Sequence, residues 1–292
     1  MYAMVLFLSL GLVLAACGSS DSSGKKDAQN KDELKKLKDK GTVVIGFANE
    51  KPYAYQEGNE LKGAAVDIAK EVFKELGVEN VEGKLADFGQ LIPGLNAGKF
   101  DVITAGMAIT PDRCKNVAFG EPEMMYGEGL IVQKGNPKKL FSYEDIAKNK
   151  DIKVSVMSGA TENQFLKSEG VDAGQIQGAP DIPATFSAVA SGRADATTGT
   201  EMTIKMALES ADKAKLEFVE DFKQPDVEGN PSYGAAAFRK NSDELRKAYN
   251  DKLKELKENG KIAELLEKNG FSEKMNMVKK EVTAEKVCSG EF

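Results

Sequence analysis

Phe100-Asp101-Val102-Ile103-Thr104 runs without a break into Ala105-Gly106-Met107-Ala108-Ile109-Thr110-Pro111-Asp112-Arg113. The first five residues read as a short buried strand. Ala105, Gly106 and Ala108 are small enough to let the backbone open toward a cleft. Arg113 then stands where the next turn begins. Its planar fork of N–H donors can grip a carboxylate through two parallel bonds, or serve in an ordinary surface ion pair. Which of these applies depends on what the neighbouring segments bring to the same place.

Upstream, Thr42-Val43-Val44-Ile45-Gly46-Phe47 is a continuous apolar run that predicts a buried strand. It delivers Ala48-Asn49-Glu50-Lys51-Pro52-Tyr53 to the strand's carboxyl end, where ligands bind in open α/β sheets. From Ala64 to Leu76 the apolar residues recur at helical spacing, and Gly77 stops the helix. Val81 to Leu85 predicts a second strand. Asp87 to Leu95, with Phe88 near its start, predicts a loop entering a short helix closed by Gly98. Strand and helix thus alternate, as in a mostly parallel sheet with crossovers.

Downstream, Gly127 to Gln133 predicts a strand leaving the first domain, followed by the turn Gly135-Asn136-Pro137. Ser142 reads as a helix N-cap. A second αβ series follows. Lys153 to Met157 is a strand, and Ser158-Gly159-Ala160-Thr161 opens a helix reaching about Glu169. Pro183 to Ser191 is a helix, Ala194 to Thr198 a strand, Glu201 to Ser210 a helix and Leu216 to Val219 a strand. Tyr233 to Phe238 predicts the return crossing, and Asp243 to Asn259 and Lys261 to Asn269 are helices that rejoin the first domain. The expected organisation is two αβ lobes joined by two hinge crossings, with residues 42–132 plus 236–292 in lobe 1 and 133–235 in lobe 2.

With 292 residues and a net charge of −6 spread along the chain, there is no basic footprint for nucleic acid. No histidine is present, which removes histidine triads and the commonest pH switch. Cysteines at 17, 114 and 288 are too far apart for a CxxC site, and no glycine-rich nucleotide loop occurs. No cofactor and no metal are expected. Residues 1–16 carry no charge and hold an apolar run short of the about 20 residues of a membrane span, the pattern of a signal peptide. Leu14-Ala15-Ala16-Cys17 resembles a lipobox, which makes Cys17 the lipidated residue and the membrane a partner through its anchor. Residues 17–41 would be a flexible tether with a short charged helix, Lys31 to Lys40.

Three segments together resemble the polar-amino-acid family of extracellular solute-binding proteins, family 3, and within it the ectoine- and hydroxyectoine-binding receptors of ABC importers. They are Gly46 to Tyr53, Phe88 to Gly98 and Ala105 to Cys114. The resemblance implies a two-lobed, type II periplasmic-binding-protein fold and no enzymatic activity. It also implies a small zwitterionic ligand, ABC permease subunits as partners, and a monomer outside the cytoplasmic membrane. Carried over position by position, Arg113 and Thr161 hold the ligand carboxylate from the two lobes, next to Gly106, Met107, Ala108, Gly159 and Ala160. Glu50 faces the cation, with Tyr53 and Phe88 as aromatic walls. Amino-acid receptors of the family place an acid where this chain has Thr200, and ectoine receptors a third aromatic where it has Ala108. Glu201 is the neighbouring acid that keeps a polar or cationic amino-acid receptor as the alternative. A cyclohexadienyl-dehydratase-like enzyme is the alternative of another class, and it needs a positioned acid or base in the cleft. Outside the cytoplasm, with Cys17 lipidated, Cys114 and Cys288 are expected to pair.

Overall fold

The computed structural model describes residues 33–291. The expected leader, Cys17 and the tether as far as residue 32 lie outside them. The charged helix before the fold spans Glu33–Lys40.

In chain order the first strands are β1 Thr42–Phe47, β2 Tyr55–Glu57, β3 Glu60–Lys62, β4 Asn80–Leu85, β5 Val102–Ala108, β6 Ala118–Phe119 and β7 Met124–Tyr126. The second set is β8 Glu128–Gln133, β9 Val154–Met157, β10 Ile176–Ala179, β11 Ala196–Thr200 and β12 Leu216–Phe218. β13, Ser232–Phe238, comes last. One sheet has the order β4-β1-β5-β13-β6, with β7 on β13, and the other has β10-β9-β11-β8-β12. β2 and β3 form a separate hairpin.

The two sheets share a plan. β1 lies parallel to β4 and β5, and β13 closes antiparallel on β5. β9 lies parallel to β10 and β11, and β8 closes antiparallel on β11. Each lobe therefore presents the carboxyl ends of its parallel strands to the same side, the position where α/β sheets receive ligands.

Burial follows the sequence pattern. All seven residues of β5 are buried, whereas β4, at the sheet edge, leaves Leu85 exposed. Helix Ala64–Glu75 buries Ala65, Ile68, Ala69, Val72 and Phe73 toward the sheet. Tyr249 on helix Asp243–Glu258 packs against both Phe73 and Phe238, which docks the carboxyl-terminal helices on lobe 1. Ser142 caps the helix Tyr143–Lys148 by accepting from the Asp145 N–H at 3.1 Å. β10 was not legible in the sequence, since Ile-Gln-Gly-Ala is short and half polar, as an edge strand can be. Among the described residues, no helix is long and apolar enough to cross a membrane.

Both lobe boundaries lie earlier than the sequence implies. β8 pairs with β11 and β12, so the outward crossing is at Gly127 and not after Val132. β13 pairs along its length with strands of the first sheet, so the return crossing comes before Ser232 and not near Ala235. Both segments are buried along nearly their whole length, and such a run announces a buried strand without saying which sheet it joins.

One buried acid gives the fold a pH dependence. Glu123 is fully buried, accepts from the Tyr249 hydroxyl at 2.6 Å, and is pushed by burial from 4.5 to about 7. The folded state binds this proton more tightly than the unfolded chain does. The resulting stability is complete below pH 4.5 and is lost as pH rises through about 7. Glu123→Gln, which keeps an acceptor for Tyr249, should shrink the fall in unfolding free energy between pH 5 and 8, read by urea titration, by up to roughly 3 kcal/mol. An unchanged slope in the variant would contradict this.

Candidate functional site

Four strand ends and one turn converge between the lobes. Lobe 1 supplies Glu50 and Tyr53 after β1, Phe88 in the turn after β4, and Gly106, Ala108 and Arg113 at and beyond the end of β5. Lobe 2 supplies Gly159, Ala160 and Thr161 after β9, and Thr200 at the end of β11. Arg113 stands on the single-turn helix Pro111–Cys114, whose Thr110 cap accepts from the Arg113 N–H at 3.2 Å. Pro111 fits there because the first helical turn has no use for its missing N–H.

The guanidinium of Arg113 links the lobes. Nη1 donates to the Ala108 carbonyl of lobe 1 at 2.8 Å, and Nη2 donates to the Gly159 carbonyl of lobe 2 at 2.8 Å. The Phe88 ring lies beneath it, 5.4 Å from the guanidinium carbon. Burial pulls the arginine below its ordinary value. No carboxylate within the described residues comes within ion-pair distance of it.

A second link is a chain of hydroxyls. Tyr53 Oη donates to Thr200 Oγ1 at 3.1 Å, Thr200 donates to Thr203 Oγ1 at 3.0 Å, and Thr203 donates to Glu50 Oε1 at 2.7 Å. The chain starts and ends in lobe 1 and passes through lobe 2. Burial raises Glu50 to about 7, against the lowering effect of the Thr203 bond.

Two glycines make this closeness possible. Gly159 has φ +86°, and a Cβ there would stand 2.6 Å from Gly89 Cα of the facing lobe. Gly106 has φ +61°, and a Cβ would stand 2.3 Å from Tyr53 Cδ1. The Gly106 carbonyl accepts from the Tyr126 hydroxyl at 2.5 Å. In this closed arrangement the space among Glu50, Arg113, Thr161 and Thr200 is about 20 Å³. A groove of about 500 Å³ opens beyond the Glu50–Thr203 bond, lined by Phe186, Pro183 and Met206 among others.

Several expected roles change with this geometry. Met107 points into the core under the cleft and is 1% exposed, as alternation along β5 requires when Gly106 and Ala108 face the ligand side. Tyr53 is 1% exposed. Its ring is packed by Tyr126 and Phe271, and it offers the cleft a hydroxyl rather than an aromatic face. The Phe88 ring supports Arg113. Thr161 precedes helix Glu162–Ser168 but makes no capping bond with its side chain, which leaves the hydroxyl for the cleft. Glu201 is half-exposed and paired with Lys205 one turn along its helix, so it is not a cleft acid. Cys114 and Cys288 are joined, with Cα atoms 5.8 Å apart, directly after Arg113.

Three contributors went unread in the sequence. Thr203 lies one helical turn beyond Thr200, a spacing that carries its hydroxyl to the same face. Tyr126 sits at the crossing. Glu162 follows Thr161 directly and reads locally as a helix-start acid, yet it is only 3% exposed and lines the cleft.

Residues 43–272 match the bacterial extracellular solute-binding proteins, family 3. The chain is 36% identical over 261 residues to the probable amino-acid ABC transporter periplasmic-binding protein y4tE of Sinorhizobium fredii, covering 88% of this chain and 86% of that protein. It is 31% identical over 276 residues to the ABC transporter glutamine-binding protein GlnH of Bacillus subtilis, covering 88% and 92%. Among solved structures, EhuB in complex with hydroxyectoine superposes with a TM-score of 0.81 at 34% identity, covering 89% of this chain and 98% of that one. The paired αβ lobes are those of the type II periplasmic-binding-protein fold. With most of its length inside the matched span, the chain belongs to the bacterial extracellular solute-binding proteins, family 3.

Proposed function

We propose that this protein is the extracytoplasmic receptor of an ABC importer, closing its two lobes on a small zwitterion and passing it to the permease. The observation that carries this reading is Arg113, a half-buried arginine at the lobe interface whose Nη1 and Nη2 already engage one carbonyl from each side. A ligand carboxylate is a stronger acceptor than either carbonyl, since an ionised partner roughly doubles such a bond. Exchanging carbonyls for carboxylate would therefore reward binding at the hinge-closing surface. Thr161 from lobe 2 would share that carboxylate. Lipidation at Cys17 would hold the receptor at the membrane as a monomer.

Ectoine or hydroxyectoine is the ligand we favour, supported by the match to the hydroxyectoine complex of EhuB across nearly all of that chain. A polar or cationic amino acid is the second reading. It is favoured by the amino-acid-binding relatives and by a cleft whose aromatic rings already have partners. A dehydratase-like activity has no such support. A thermal-shift screen of compatible solutes and amino acids tests the receptor, because a tight ligand raises apparent stability by mass action. No shift with any of them would remove the reading.

Ala108→Phe separates the two ligand classes. With ectoine, the added ring supplies a face for a delocalised cation and should tighten binding by about 0.5–2 kcal/mol. With a longer amino acid, it should overfill the space and weaken binding by about 1–3 kcal/mol. Calorimetry against ectoine, glutamine and arginine reads the sign, and weaker ectoine binding would overturn the ectoine assignment.

A further inference from the structure

Glu162 and Glu128 face each other beneath the cleft, and neither is needed for the carboxylate end of a ligand. Glu128 opens β8 directly after the outward crossing and is 1% exposed; Glu162 is 3% exposed and borders the same space as Arg113 and Glu50. Among the described residues, neither Glu128 oxygen nor Glu162 Oε2 meets a donor from any group other than the facing acid. Buried polar groups left in this state are costly, and more so when charged. A fold keeps them where another group supplies the missing partner.

The other acids near the cleft already accept from side chains. Glu50 accepts from Thr203, and Glu201 is tied to Lys205 on the outer surface. Arg113 spends its donors on carbonyls and so retains its charge for an incoming anion. Resting on the receptor reading above, we propose that Glu162, backed by Glu128, holds the positive charge of the ligand, and that this seat takes an N–H-bearing cation, an ammonium or an amidinium. A permethylated cation brings no donor to these oxygens and cannot take the place of the proton they share. The site then selects zwitterions whose cation and carboxylate are close enough to meet Glu162 and Arg113 together.

The pair also carries a proton. Two ionised carboxylates cannot bond each other, but one proton between them makes Glu128 the donor and Glu162 the acceptor. Burial and the charge of Glu162 push Glu128 well above its ordinary value, and burial raises Glu162, which Arg113 opposes. The other titratable groups that face the pair are Glu50, Tyr126 and Tyr143, and Tyr53 lies near Glu128. When a cationic ligand arrives, its N–H groups replace the shared proton, which leaves to the buffer. No electrons move and no other co-reactant is needed.

The experiment is calorimetry of the full chain at neutral pH with ectoine, L-glutamine, L-arginine and glycine betaine, in two buffers of different ionisation enthalpy. The expected result is binding of at least one N–H-bearing probe, with a heat that depends on the buffer because a proton is released. Glycine betaine should neither bind nor compete. Glu162→Gln should weaken the bound probe about tenfold or more and reduce the buffer dependence to the part that Glu50 contributes. Glu128→Gln should reduce the buffer dependence in the same way, with a smaller loss of affinity. Undiminished affinity in Glu162→Gln, or glycine betaine binding as tightly as the N–H-bearing probe, overturns the assignment while the receptor reading stands. If wild-type protein binds none of the four, the receptor reading fails and takes this assignment with it. The analogue comparison uses wild-type protein, so it decides the matter even if Glu162→Gln does not fold.

Discussion

Arg113→Ala should abolish most ligand binding, with a loss of roughly 2–5 kcal/mol, or from about 30-fold to several-thousand-fold in Kd. The size follows from what remains behind. A ligand carboxylate enclosed between the lobes would lose its bidentate partner while still being withdrawn from water, and Thr161 alone cannot neutralise it. The same substitution removes the bonds to Ala108 and Gly159, so unliganded closure should weaken as well. Arg113→Lys separates charge from geometry. It restores a positive charge but not the planar fork, and should recover only part of the affinity. The Phe88 ring, now supporting the guanidinium, would also lose its partner in the alanine variant. Titration calorimetry with the ligand found in the thermal-shift screen checks this. An alanine variant with wild-type affinity would show that the carboxylate is held elsewhere.

The lobes were legible because their core strands are unbroken apolar runs and their helices keep a single apolar face. β1 and the helix Ala64–Glu75 lie within a residue of where the pattern puts them, while β5 begins later than expected and runs on to Ala108. Lobe membership was not legible for β8 and β13. Their burial is equal on both faces, and only pairing partners more than 60 residues away for β8, and more than 100 for β13, decide the sheet. The cleft shows the same division. Arg113, Glu50, Thr161 and Thr200 could be named because each lies at the end of a strand beside a recognisable motif. The Glu50–Thr203 bond spans 153 positions and exists because the lobes close, so no local pattern contains it. Glu162 was hidden by a plausible local role, since an acid in the first turn of a helix needs no further explanation. Tyr53 and Phe88 were expected to offer ring faces to the cleft, and in the structure these rings pack on protein neighbours. Whether an aromatic side chain offers a face or an edge depends on its packing neighbours, here Tyr126, Phe271 and Arg113.

Replacing Cys114 and Cys288 by serine should cost about 2–5 kcal/mol of stability, the usual range for removing a native disulfide. The bond closes a span of 174 residues that includes all of lobe 2, so its loss frees a large part of the unfolded chain. In the folded state it fastens helix Ala284–Ser289 to the turn bearing Arg113. That helix is not held by sulfur alone. Val282 and Val287 are buried, and the Ala284 N–H donates to Glu121 at 3.1 Å. The double variant should therefore fold, with a lower urea midpoint and faster hydrogen exchange concentrated after residue 278. Ligand affinity should change far less than stability. The Thr110 cap and the Arg113–Ala108 bond position the arginine from within lobe 1 without the sulfur atoms. Lys240 also donates to the Cys114 carbonyl and holds that turn independently. A double variant with unchanged midpoint would mean that the apolar contacts of the tail suffice. A variant of normal stability that cannot bind would place the disulfide in the binding machinery instead, as the brace that keeps Arg113 aimed at the cleft.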